Sequence, residues 1–331
     1  MSQFLSKCTA TAMVDAAANL LAGNLVAFPT ETVYGLGADA CNADAVARIY
    51  SVKGRPADHP LIVHVGSMDA LGDWASDVPG YAISLARDFW PGPMTLIMKR
   101  SELAGDFVTG GQETVGVHVP DHPVALGLLL AFAQIGGKGV AAPSANRFGN
   151  VSPTTAQAVA DELSQYLGSA DQILDGGPCQ VGVESTIIDC TGDVPRILRP
   201  GAVTVAMIEE STGLVVGDSN KQAGTSVDEV QIRVSGSLDS HYAPVAKVLL
   251  CETPTAGQGF IAHANIQTPE GVIRLASPHS DEEFARVLYA ALRSADEQGL
   301  REVVVMQPIG MGIGVAIRDR LKRAAHSESN G

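Results

Sequence analysis

Two cations one residue apart, Lys53 and Arg55, close a helical pattern, and two small polar side chains one residue apart, Ser144 and Asn146, end an apolar run far along the chain. These residue types bind phosphate. Arg offers a planar fork to two phosphate oxygens and Lys a movable point charge, so the pair is not redundant. Alternate residues of an extended segment share a face, so Ser144 and Asn146 present neutral donors on one side. Gly54 reads as a flexible joint between the cations and Pro56 as the helix stop. By itself Lys-x-Arg is more often a solvated helix end, and Ser-x-Asn an ordinary turn. The phosphate loop of ordinary NTPases, with its Gly-Lys-Ser/Thr ending, is absent. Together the two segments suggest one nucleotide pocket.

The elements that must position them alternate. Apolar strand patterns fall at 25–28, 61–65, 94–98, 115–119, 139–142, 172–174, 185–189 and 196–198, interleaved with amphipathic helical patterns at 11–22, 43–52, 81–89, 123–134 and 154–167. This predicts an α/β domain. The hydroxyl-rich stretch after Phe28 reads as a turn, and Gly110-Gly111, Gly136-Gly137 and Gly176-Gly177 as turns between elements.

The segments PTETVYGLG, KGRP, PLIVHV, APSAN followed by SPTTA, GVESTI and ILRPG occur in the order and spacing of the YrdC-like family, which the chain resembles. With SGSLDSHYAP and a further C-terminal domain after them, it is similar in particular to the two-domain L-threonylcarbamoyladenylate synthases. The resemblance runs from about Ala10 to Ala325. It implies a twisted, mixed, open sheet with helices and a smaller C-terminal Rossmann-like α/β domain, divided as 1–213, a linker or lid 214–244, and 245–326. It also implies a nucleotidyltransferase reaction. L-threonine, bicarbonate and ATP give threonylcarbamoyl-AMP and pyrophosphate, and a separate transferase machinery uses the adenylate to modify tRNA.

Carried over position by position, the resemblance places Thr32, His64, the Ala142 backbone and Ser185 on the threonine side. It places Arg55, His59, Thr114, Ser144, Asn146, Ser152 and Arg199 on the ATP side, with Lys53 reaching phosphate. Lys53 and Arg55 are the expected catalytic pair, and Mg²⁺ is expected with ATP. Many relatives carry an apolar-Arg-apolar-Pro strand where this chain has Val117-His118-Val119-Pro120. His118 therefore stands where an Arg is expected to hold the threonine carboxylate. Weak threonine binding that improves at mildly acidic pH follows, since neutral imidazole is the poorer partner. In the linker, Ser235, His241 and Tyr242 are candidate lid contacts to ATP; a plain tether is the alternative.

The 331 residues exceed what one core usually serves, and 46% hydrophobic with 18% charged residues allow a sizeable core. No membrane-length apolar stretch or signal-peptide pattern is present, so a cytoplasmic location is expected. Five scattered cysteines show neither zinc-ligand spacing nor a disulfide framework, and no metal-ligand set is expected. A net charge of −14 with no basic run disfavours stable nucleic-acid binding, leaving a non-catalytic RNA-binding YrdC-like module as the rival reading. Residues 218–240 have a linker composition.

Beyond the linker, strands are expected at 246–251, 259–263, 272–276 and 302–306. Ser280 and Glu283 make a capping box opening a helix to about 298, and a second helix spans 315–325. Between them Gly310-Met311-Gly312-Ile313-Gly314 fails the dinucleotide spacing because Val315 takes the third glycine position, and reads as a tight turn.

Overall fold

The computed structural model describes residues 4–217, 232–236, 242–250 and 252–326. The strands of the first part are β1 (Leu5–Lys7), β2 (Val26–Pro29), β3 (Tyr34–Asp39), β4 (Ile62–His64), β5 (Met94–Lys99), β6 (Thr114–His118), β7 (Val140–Ala141), β8 (Gln172–Asp175), β9 (Thr186–Asp189) and β10 (Arg196–Arg199). Among the described residues they form one mixed sheet in the order β1-β8-β2-β3-β7-β4-β6-β5-β9-β10. Its helices are α1 (Ala10–Leu21), α2 (Ala43–Lys53), α3 (Leu71–Trp74), α4 (Gly80–Phe89), α5 (Asp106–Thr109), α6 (Pro123–Gln134), α7 (Ala156–Leu163) and α8 (Val205–Thr212).

Alternation along β2 sets the layers. Val26 and Phe28 pack into an apolar cluster with α1 and α6, whereas Leu25 and Ala27 join the larger cluster that holds α2, α4 and α7. Successive strand side chains point to opposite faces, so both faces are covered by helices.

The turn expected after Phe28 is present at 30–33, and beyond it lies a strand that the sequence pattern did not indicate: β3, inside the sheet and antiparallel to both β2 and β7. Gly35 and Gly37 hide it from pattern reading, because glycine is depleted in strands. The packing explains the glycine at 37. A Cβ there would lie 2.7 Å from Val140 Cγ1 and 2.8 Å from Phe28 Cε1, in space the neighbouring strands fill. The helix expected over 154–167 begins two residues later, with Thr155 as its N-cap, and ends at Leu163.

The C-terminal part holds β11 (Lys247–Leu250), β12 (Gly259–Ile261), β13 (Ile273–Ala276) and β14 (Glu302–Val305) in a parallel sheet ordered β11-β14-β12-β13, with α9 (Asp281–Glu297) and α10 (Ile313–Ala325). Ser280 Oγ accepts from the Glu283 N–H at 3.2 Å, while Glu283 reaches back to the amide of His279 rather than that of Ser280. The two parts share a core. Val33, Val151 and Val183 of the first pack with Phe284, Leu288, Ile317 and Leu321 of the second. Among the described residues no helix is long and apolar enough to cross a membrane.

Candidate active site

The loop between β2 and β3, the ends of β4, β6, β7 and β10, the loop before β9 and the linker residues Ser235, Gly236 and Tyr242 surround a cavity open to solvent. Two guanidinium groups reach it. Arg55 is 7% exposed and follows α2, which ends at Gly54 in a left-handed cap (φ 63°). Gly54 therefore supplies a fixed conformation costly to other residues, not a flexible joint, and it already ends the helix that Pro56 was expected to stop. Arg55 Nη2 donates to Pro60 O at 3.0 Å and to Ser235 Oγ at 3.1 Å, while its buried Nε has no hydrogen-bond partner among the described residues. Arg199, at the end of β10, donates from Nε and Nη2 to Ser185 O, from Nη2 to Ser185 Oγ, and from Nη1 to Ser235 O. Burial pushes the Arg55 guanidinium down to about 10, with Arg199 adding repulsion, and burial lowers Arg199 likewise. Arg55 is still cationic at neutral pH.

Small hydroxyl side chains complete this wall. Thr30 Oγ1 donates to Val33 O at 2.7 Å, so the 2.8 Å contact with Thr32 Oγ1 is donated by Thr32. Thr30 thereby closes the turn that presents Thr32. Ser144 lies on the opposite rim, and Ala142 lines the cavity with its N–H spent on Ile62 O. Ser185 Oγ is 2.8 Å from Thr95 Oγ1.

His64 and His118 lie side by side at the cavity, ring centroids 5.0 Å apart. His118 Nε2 is 2.8 Å from Gly92 O and 3.1 Å from Glu31 Oε1. Both neighbours accept, so that nitrogen carries a proton and is committed. The expectation that His118 replaces the carboxylate-binding Arg is corrected to this extent: only Nδ1 remains to face a ligand, and it donates only from the imidazolium. His64 is pushed down to about 3 by burial and then by His118. Its folded value lies below the ordinary 6.5, so the stability it contributes is complete above 6.5 and is lost as pH falls toward 3. The unfolding free energy from denaturant melts should drop over that window, by at most about 1.4 kcal/mol per pH unit from this residue, and His64→Asn should flatten the slope.

Five expected site residues are not at the cavity wall. Lys53 is 2% exposed, and its Nζ donates at 2.5 Å to the carbonyls of both Ser144 and Asn146. Burial lowers its pKa well below the ordinary value. It is corrected from a phosphate contact to the tie between α2 and the loop after β7. Asn146 is fully buried and donates from Nδ2 to Arg147 O and Asn150 O, which shapes the same loop, while its buried Oδ1 has no hydrogen-bond partner among the described residues. Ser152 is fully buried and donates to Glu184 Oε1 at 2.6 Å. His59 packs edge-on against Phe148 outside the cavity, at 5.3 Å. Thr114 lines an adjoining groove that shares Ile62 and Ser235 with the main cavity.

Sequence reasoning missed Thr30, Glu31, Gln112 and Glu184. The first two and Glu184 lie inside the quoted motifs, but nothing local showed which side chains turn inward. Gln112 fastens the linker: it donates to Arg233 O at 3.0 Å and accepts from Arg233 N at 2.7 Å. Ser235, Gly236 and Tyr242 from that linker line the cavity, whereas His241 lies outside the described residues.

Residues 18–201 match the family described as "Telomere recombination", the Sua5/YciO/YrdC type, and residues 203–326 match "Threonylcarbamoyl-AMP synthase, C-terminal domain". The threonylcarbamoyl-AMP synthase of Pyrococcus abyssi is 40% identical over 321 residues, covering 92% of this chain and 91% of that protein. That of Bacillus subtilis is 39% identical over 331 residues, covering 95% and 92%. The crystal structure of P. abyssi Sua5 complexed with L-threonine superimposes with a TM-score of 0.83 at 36% identity, covering 97% of this chain and 96% of that one. The sheet and its cavity are thus those of a nucleotidyltransferase-type enzyme. Within that class, the chain belongs to the family of two-domain threonylcarbamoyl-AMP synthases.

Proposed function

We propose that the chain makes threonylcarbamoyl-AMP and pyrophosphate from L-threonine, bicarbonate and ATP, for threonylcarbamoyladenosine modification of tRNA by a downstream transferase machinery. The observation that carries this reading is the pair of buried guanidinium groups, Arg55 and Arg199, converging on a cavity whose lining includes the small hydroxyl side chains of Thr30, Thr32, Ser144, Ser185 and Ser235. Threonine's amine and bicarbonate condense to a carbamate with loss of water. A carbamate oxygen then forms a bond to the α-phosphorus, and the bond to the bridging oxygen breaks as pyrophosphate leaves. Negative charge builds on the phosphate oxygens in that step, and fixed cations in a water-poor site stabilise it.

Threonine has a hydroxyl as well as a carboxylate, and Thr32 and Ser185 are the uncharged groups suited to the hydroxyl. The His64 ring, held neutral by burial, adds no charge to the site. Ser235, Gly236 and Tyr242 line the cavity from the linker, which supports assigning them to the nucleotide side. Mg²⁺ would enter with ATP and offset the charge of its phosphates. Among the described residues no group of three or more His, Cys, Asp or Glu is arranged for a metal, and the lining carboxylate of Glu184 is already taken up by protein donors.

The direct test is pyrophosphate release with threonine, bicarbonate and ATP, each omitted in turn. Strict dependence on all three is expected. Release that ignores threonine, or salt-sensitive tRNA binding without release, would favour the RNA-binding alternative.

A further inference from the structure

Glu184 stands at the junction of the two parts of the molecule. It lines the cavity next to Ser185, yet most of its carboxylate contacts come from behind the cavity wall. Arg320 Nε of α10 donates to its Oε2 at 2.7 Å, the Tyr289 hydroxyl of α9 to the same oxygen at 2.9 Å, and Ser152 to Oε1. Arg320, 1% exposed, is among the largest fully buried side chains, and its Nη1 is held by Asp319 at 2.7 Å. The loop before Glu184 is pressed onto α9. A Cβ on Gly182 (φ 83°) would lie 2.4 Å from Arg286 Cα, and Arg286 Nε donates to Gln180 O.

The same guanidinium reaches the linker. Arg320 Cζ sits 5.4 Å from the centroid of the Tyr242 ring, which stacks on Tyr289 at 5.9 Å with 23° between planes. Tyr242 has a left-handed backbone (φ 63°), an unfavourable state for a bulky residue that persists only where its surroundings over-determine it. From Glu184 the contacts continue forward: Ser185 holds Arg199, Arg199 holds Ser235, and Ser235 meets Arg55. Burial pushes the Glu184 carboxyl up, but Arg320, Arg199 and the Ser152 hydroxyl outweigh it and bring it down to about 2.

We propose that Arg320 of the C-terminal domain is a positioning residue for the active site, holding Glu184 and Tyr242 so that Ser185, Arg199 and the Ser235-Gly236 segment keep their places around the cavity. The C-terminal domain thereby forms the back wall of a site whose chemistry lies in the other domain. The idea rests on the synthase reading for its activity readout and has a second readout independent of it.

The test compares full-length Arg320→Met, the double variant Arg320→Met with Glu184→Gln, and the control Lys322→Gln, an exposed residue of the same helix. Pyrophosphate release, thermal unfolding and amide hydrogen exchange are followed for each. Arg320→Met alone leaves a buried carboxylate uncompensated and should unfold at lower temperature. In the double variant an amide oxygen in the place of Oε1 still accepts from Ser152 and Tyr289, both within reach of that atom, so the unfolding temperature should return. Its rate should nonetheless stay lower by about tenfold or more, because a small misplacement of binding groups is costly, and amides 232–236 should exchange faster than in the control. Recovery of both rate and wild-type exchange at 232–236 in the double variant would reduce Arg320 to charge balance and overturn the proposal. If wild type releases no pyrophosphate, the synthase reading fails, and the exchange at 232–236 alone decides the positioning role.

Discussion

Arg55→Ala should release pyrophosphate about a hundredfold to a thousandfold more slowly than wild type at saturating substrates, the usual range for removing one preorganised donor to developing charge. Its fold should survive. Among the described residues Arg55 makes two hydrogen bonds, to Pro60 O and Ser235 Oγ, and its buried Nε makes none. It also repels Arg199, a repulsion that Asp58 beside Arg55 and Glu184 beside Arg199 offset in part. Truncation therefore removes an unfavourable burial along with those bonds, and stability should change by no more than about 1–2 kcal/mol. Arg55→Lys keeps the charge but not the fork and should fall between. Steady-state rates with denaturant melts of the same samples check this; a rate within threefold of wild type would remove Arg55 from the chemistry.

Lys53→Met should lose activity for a different reason. Its ammonium fills the space between α2 and the loop after β7, bonding the half-buried carbonyl of Ser144 and the buried carbonyl of Asn146. Each stranded buried acceptor costs about 1–3 kcal/mol. Relief from burying a cation offsets part of this, as the lowered pKa of Lys53 indicates. A net loss of about 2 kcal/mol or more is expected. Ser144 should shift with the loop, so the rate should fall together with the denaturant midpoint, whereas in Arg55→Ala the rate falls almost alone. A Lys53 variant with wild-type stability and a collapsed rate would return this lysine to direct phosphate contact.

Those two neighbours in sequence show how far local reading goes. Lys-Gly-Arg announced anion chemistry by residue type, but the left-handed Gly54 sends the side chains on either side of it to different places: Lys53 under the loop and Arg55 into the cavity. Asn146 and Ser144 divide in the same way, one buried in the loop and one on the rim. Periodicity found most of the helices and strands because burial on one face of an element imposes a period that survives in the sequence. It missed β3 because the two glycines there answer to the side chains of adjacent strands, a constraint with no local period.

Order and spacing of the motifs, the alternation of apolar runs and the lack of a phosphate loop were enough to define the α/β class, the family and the residue types of an anion site. The tertiary structure decided which of those residues face the cavity. It also decided that Glu31 occupies His118, and that Arg320, 136 residues beyond Glu184, belongs behind the active site. The physical reason is that propensity and periodicity act over a few residues, whereas desolvation and hydrogen-bond satisfaction are settled among groups brought together only when the chain is packed.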